Sequence, residues 1–178
     1  MMFALKTYRN WGFFALVALT GLLQGCAMLG SMANVAASSA TNLFSGGPTP
    51  SFLDWKAMTV IAAPDANQDS PLSFDLLFVR DSVTLEKLLT VPASRWFSSK
   101  QELQNTYPNA IVIRSWELVP QQILQLSEDD LGSPRVAGML IYADYLGPGD
   151  HRIQLPRTRE SFLVELGPRS FSVQTRPR

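Results

Sequence analysis

Along most of this chain apolar side chains recur at every second position, in short runs. The clearest stretch is 72–80, where Leu72, Phe74, Leu76 and Phe78 fall on one face and Ser73, Asp75, Leu77 and Val79 on the other. A period of two with Phe- and Val-rich composition predicts a strand with one face in a core. Residues 56–63 carry Met58, Thr59, Val60 and Ile61 and predict a shorter strand before it. Between the two, Pro64-Asp65-Ala66-Asn67-Gln68-Asp69-Ser70-Pro71 sets two prolines around Asp, Asn and Ser, a strong loop signal.

The period then changes. Asp81 or Ser82 can cap a short helix whose apolar side is Val83, Leu85, Leu88 and Leu89. Pro92 ends it and opens a second helix to about Tyr107, so the helical excursion covers about 82–107. Residues 110–118 return to alternation, with Val112, Trp116 and Leu118 on one side and Ile111 and Ile113 on the other. A turn at 119–122, a short strand at 123–126 and an exposed loop at 127–135 follow. Residues 136–145 are the most apolar strand and predict the centre of a sheet. The Gly147-Pro148-Gly149-Asp150 turn leads to a returning strand at 152–155, and 162–166 with 171–175 make a last hairpin. About eight short strands with one helical pair after the second predict a mainly β fold, a sandwich or a barrel.

The first residues follow a different grammar. Lys6 and Arg9 precede an uncharged run from Trp11 to Leu23, and no acidic residue stands before Cys26. A positive start, an apolar stretch and small residues at a cut site make a secretory signal. Leu23-Gln24-Gly25-Cys26 resembles a bacterial lipoprotein lipobox. That resemblance implies cleavage between Gly25 and Cys26, a diacylglycerol on the Cys26 thiol and an acylated amino group. A membrane span needs about 20 apolar residues, more than this run supplies, whereas two or more acyl chains anchor a domain stably. Ala27, rather than Asp, after the cysteine points to the outer membrane. Residues 27–50 are rich in Ala, Ser and Gly and carry no charge, as expected of a flexible tether. The expected divisions are a signal at 1–25, the lipidated cysteine and tether at 26–50, and a folded domain at 51–178.

Charge and chemistry narrow the function classes. The 178 residues carry 15 basic and 15 acidic side chains, and removing the signal takes away Lys6 and Arg9, leaving 13 against 15. No basic stripe remains to suggest nucleic acid. Cys26 is the only cysteine and His151 the only histidine, so neither a thiol nucleophile nor a zinc site is available. No P-loop, dinucleotide fingerprint or nucleophile elbow is present. The alternation of Asp65, Asn67 and Asp69 resembles the start of a calcium loop. Ser70 and Leu76 stand where that loop needs glycine and glutamate, so no metal is expected. Glu128-Asp129-Asp130 reads as a solvated loop. Trp96-Phe97 and Trp116 read as core, with a stacking platform as the alternative. No catalytic residue and no cofactor beyond the covalent lipid is expected.

The order of features resembles a known family. A lipobox and tether are followed by a strand ending in Ala63-Pro64-Asp65-Ala66-Asn67, a Leu/Phe/Val strand and a helical excursion. Then come a Glu117-Leu118-Val119-Pro120-Gln121 turn and the strand Gly138–Tyr145, leading to a basic hairpin. This is similar to the TssJ (SciN-type) outer-membrane lipoproteins of the type VI secretion system, across the whole chain. The family's Val-Pro-Gly turn reads Val119-Pro120-Gln121 here, and its Ala-Tyr-Arg reads Ala143-Asp144-Tyr145, as in a divergent member. The resemblance implies a transthyretin-like two-sheet β-sandwich with a helical insertion and no enzymatic activity. It implies a structural adaptor hung from the inner leaflet of the outer membrane and facing the periplasm. Its partner would be the periplasmic C-terminal region of the TssM inner-membrane subunit. The family's partner loop joins the first two strands, here 64–71, which makes Asp65, Asn67 and Asp69 the expected partner-binding residues. A small-ligand or cell-wall-binding lipoprotein with an aromatic cleft is the alternative.

Overall fold

The computed structural model describes residues 47–53 and 55–176. The expected signal, Gly25, Cys26 and most of the expected tether lie outside the described residues. In chain order the elements are β1 (Ser51–Phe52), β2 (Ala57–Ala62), β3 (Leu72–Val79), α1 (Ser82–Leu88), α2 (Ala93–Thr106), β4 (Ile111–Leu118) and β5 (Ile123–Ser127). They continue with α3 (Glu128–Leu131), β6 (Arg135–Val136), β7 (Gly138–Ala143), β8 (Arg152–Leu155), β9 (Ser161–Leu166) and β10 (Phe171–Arg176).

Eight of the strands form two four-stranded sheets, ordered β10-β9-β2-β5 and β4-β3-β7-β8. Strands β2 and β9 run parallel, while the other pairs are antiparallel. The sheets close on an inner core that includes Met58, Val60 and Phe162 from one sheet and Phe74, Phe78 and Ile141 from the other. The β-sandwich with a helical insertion after its second long strand is therefore the fold. Period two dictates it locally, because each strand has an apolar row to hide and the facing sheet covers it.

One strand departs from the single-faced expectation. On β3 both rows are buried: Phe74, Leu76 and Phe78 enter the inner core, while Leu77 and Val79 enter a second core outside the sheet. Helices α1 and α2 cover that outer side with Leu85, Leu88, Ala93 and Trp96, and β7 contributes Leu140 and Tyr142. The helical excursion thus turns a sheet face that would otherwise meet water into a second interior.

A polar knot holds α2 to the sheet. Asp75 is buried; its Oδ2 accepts from Trp96 Nε1 at 2.8 Å and lies 2.8 Å from Lys100 Nζ, which also donates to Oδ1 at 3.0 Å. Lys100 also donates to Ser115 Oγ at 2.8 Å. Trp96 stacks on Tyr142 with centroids 5.0 Å apart. Burial pushes the Tyr142 hydroxyl up to about 12, against the nearby Arg152 cation and its hydrogen bond. Helix α1 starts on Asp81, whose carboxylate accepts from Thr84 N at 2.8 Å.

The stretch 127–135, expected as an exposed loop, is partly ordered into helix and strand. Ser127 and Asp130 form a reciprocal capping box at the start of the one-turn α3, and Leu131 is buried beneath it. The residues after it pair as β6 with β1, Phe52 standing opposite Arg135. Two arginines reinforce this seam: Arg135 Nε donates to Pro50 O at 3.0 Å, and Arg157 donates to Thr49 O at 2.9 Å and to Ser51 Oγ. The segment that enters the domain is therefore stitched down at the end where β2 and β9 begin.

Candidate functional site

Strands β2 and β9 pair in parallel register from Met58–Phe162 to Ala62–Leu166, so the loops leaving them share one end of the sandwich. That end lies opposite the stitched entry, about 20 Å away at about 3.3 Å per strand residue. Three connections meet there: 63–71 between β2 and β3, 144–151 between β7 and β8, and 167–170 between β9 and β10. The 119–122 turn between β4 and β5 borders them, since Gln121 N donates to Ala62 O at 3.0 Å.

One residue ties three of these segments together. Asn67 is 1% exposed. Its Nδ2 donates to Pro71 O at 2.8 Å, closing its own loop. Its Oδ1 accepts from Leu146 N at 2.8 Å, and its backbone N donates to Gly167 O at 3.1 Å. The surrounding backbone is unusual. Asn67, Gln68 and Asp69 have φ of +48°, +57° and +61°, three consecutive left-handed residues without a glycine. Each non-glycine residue there costs roughly 1–2 kcal/mol, less for Asn and Asp. Such a run persists only where its surroundings over-determine it, and strained backbone concentrates at functional segments. The turn pushes Asp65, Gln68 and Asp69 into solvent while Asn67 points inward.

Of the expected partner-binding residues, then, Asp65 and Asp69 are displayed, and neither joins an ion pair among the described residues. Asn67 has its amide spent on the fold, so it sets the loop's shape rather than offering a contact. Sequence reasoning did not single out the neighbours of this loop. Leu146 is 69% exposed, Ile123 58% and Val119 48%. A large apolar residue directly before Gly147-Pro148-Gly149 was the available signal for Leu146.

The 144–151 loop is braced from within. His151, at φ +46°, holds its ring 4.6 Å from that of Tyr145 and its Nε2 3.0 Å from Gly147 O. The Tyr145 ring stacks on Phe171, and burial raises its hydroxyl pKa. Desolvation raises the Asp144 carboxyl, the negative charges of Asp75 and Glu117 add to that, and His151 opposes it. The lone histidine thus acts as a turn brace.

Two solved structures share this arrangement of sheets and helices. The type VI secretion lipoprotein TssJ1 from Pseudomonas aeruginosa is 16% identical with a TM-score of 0.50, covering 74% of this chain and 98% of that one. The chain has the TssJ fold. A chain of a solved type VI membrane complex gives a TM-score of 0.50 at 13% identity, covering 67% of this chain and 98% of that chain. No protein-family model and no curated protein matches the chain. Gln121, in the 119–122 turn, has φ +69°. That is a left-handed position, which glycine adopts more easily than glutamine.

The aromatic-cleft alternative finds no cleft in these residues. Trp96 is fully buried, Phe97 packs against the outer core, and Trp116 lies against the inner core 6.1 Å from Phe74.

Proposed function

We propose that the chain is a lipid-anchored, non-enzymatic adaptor of a type VI secretion membrane complex. Cys26 carries the lipid and moors the domain to the inner leaflet of the outer membrane. Asp65 and Asp69 contact the periplasmic C-terminal region of a TssM-type inner-membrane subunit, on a loop whose shape Asn67 maintains. The observation that carries this reading is a fold shared with TssJ1 over 98% of that lipoprotein, in a chain whose start reads Leu23-Gln24-Gly25-Cys26. The layout supports it. The entering chain and the displayed carboxylates stand at opposite ends of the sandwich, as a bridge between a membrane and a partner requires.

The test has two arms. Mass spectrometry of the mature protein should find an acylated Cys26 at the terminus; an intact residue 25 or a bare cysteine removes the anchor. Pull-down with the TssM-type periplasmic fragment should retain the protein and weaken on Asp65→Asn with Asp69→Asn. Undiminished capture by that double variant removes the two aspartates from the interface.

A further inference from the structure

Three of the five large apolar side chains most exposed among the described residues lie on segments at or beside the loop end: Val119, Ile123 and Leu146. Phe52 and Val83 are the other two. Single exposed apolar residues are ordinary, but a group of them beside strained backbone is not. We propose that this end is one composite docking surface. The loop presents Asp65, Gln68 and Asp69, with Leu146 on the adjoining 144–151 loop and Val119 and Ile123 at the bordering turn between β4 and β5. Its occupant is a protein surface bearing an apolar socket flanked by basic side chains. This rests on the partner reading above and adds to it the residues that anchor the contact and the chemistry of the opposing surface.

Backbone bonds make the surface a unit. Leu146 N is held by Asn67 Oδ1 at 2.8 Å, so that residue is fixed to the loop's own keystone. Gln68 reaches across as well, its Nε2 lying 3.8 Å from where a Cβ on Gly147 would stand. The bordering turn is fixed through Gln121 N on Ala62 O at 3.0 Å, and Gln122 Oε1 accepts from Val119 N at 3.0 Å. Surfaces ordered before binding lose little conformational entropy on docking. An apolar anchor in a socket with a polar rim is also the arrangement that concentrates binding energy.

Charge selects the occupant. Asp65 and Asp69 are solvated and outside any ion pair among the described residues, so they attract a basic rim. Arg169, exposed on the neighbouring 167–170 turn, gives the surface a direction and so an orientation for the partner.

The experiment titrates the full chain, in detergent, with the purified TssM-type periplasmic fragment. Leu146→Ser should weaken Kd about tenfold or more, and Ile123→Ser several-fold. Asp65→Asn with Asp69→Asn should flatten the salt dependence of binding. Val83→Ser, on an exposed position of α1, should change nothing. These side chains are exposed, so folding is expected to survive, and circular dichroism of each variant checks it. Full-affinity binding by folded Leu146→Ser and Ile123→Ser chains overturns the composite surface and leaves the partner reading standing. No binding by the unaltered chain overturns both. Loss of a homodimer in sedimentation upon Leu146→Ser also overturns the proposal, because the occupant would then be a second copy.

Discussion

Replacing Asn67 by alanine removes the one side chain that closes the 64–71 loop and ties it to its neighbour. Two hydrogen bonds go, from Nδ2 to Pro71 O and from Leu146 N to Oδ1, each 2.8 Å long. A typical intramolecular bond contributes about 1 kcal/mol net. Pro71 and Leu146 are themselves exposed, so water can reach the orphaned groups and the larger penalty for sealed partners does not apply. Alanine at φ +48° adds about 1 kcal/mol, since asparagine tolerates the left-handed region and alanine does not. The expected loss is about 3 kcal/mol in urea unfolding, or about 10 °C in Tm for a domain of this size. Asn67→Gly separates the causes. It loses the same two bonds but relieves the backbone, so it should fall about 1 kcal/mol short of the alanine loss. If Asn67→Ala unfolds within about 1 kcal/mol of the unaltered chain, the keystone role is wrong. If alanine and glycine cost the same, the strain assignment is wrong.

Three other outcomes follow from the same contacts. Lys100→Ala should cost about 2–3 kcal/mol by leaving the buried Asp75 carboxylate with Trp96 alone, the lower end of the range because Lys100 is partly solvated; Asp75→Asn in the same chain should restore much of it, as read by chemical denaturation. Gln121→Gly should stabilise the domain by up to about 1 kcal/mol, because glycine adopts φ +69° without strain, and an unchanged or lower Tm refutes that. Asp144 binds its proton more tightly folded than unfolded, so its stabilising effect is complete at acid pH and lost as pH rises past its raised pKa. Asp144→Asn should therefore raise Tm at pH 7 and leave it unchanged at pH 3; a gain of equal size at both values rejects the linkage.

Local chemistry made much of this protein legible from its sequence. Alternation over 72–80 and 111–118 reports a strand wherever it lies in the fold, because successive side chains leave opposite faces. The Pro64–Pro71 loop and the helix stop at Pro92 are legible for a similar reason, since proline constrains backbone within one or two residues. The resemblance of Leu23-Gln24-Gly25-Cys26 to a lipobox is likewise a reading of adjacent residues. The single-faced reading of β3 failed because Ser73 and Asp75 look like a solvated row. Asp75 is buried only because Lys100 and Trp96, more than 20 residues on, arrive to satisfy its carboxylate.

The candidate site divides the same way. That 64–71 is a loop, and that its acidic side chains are candidates for contact, follows from the sequence. Which of them face outward does not. Asn67 turns inward because Leu146, 79 residues later, offers a backbone N–H at the right place, and Gly167 offers a carbonyl. Leu146, Val119 and Ile123 become neighbours of the loop only when two sheets close and bring their ends together. Composition and periodicity dictated the strands. The packing of one sheet on the other decided what the loop end presents, because hydrogen bonds between segments far apart in sequence exist only once the core has formed.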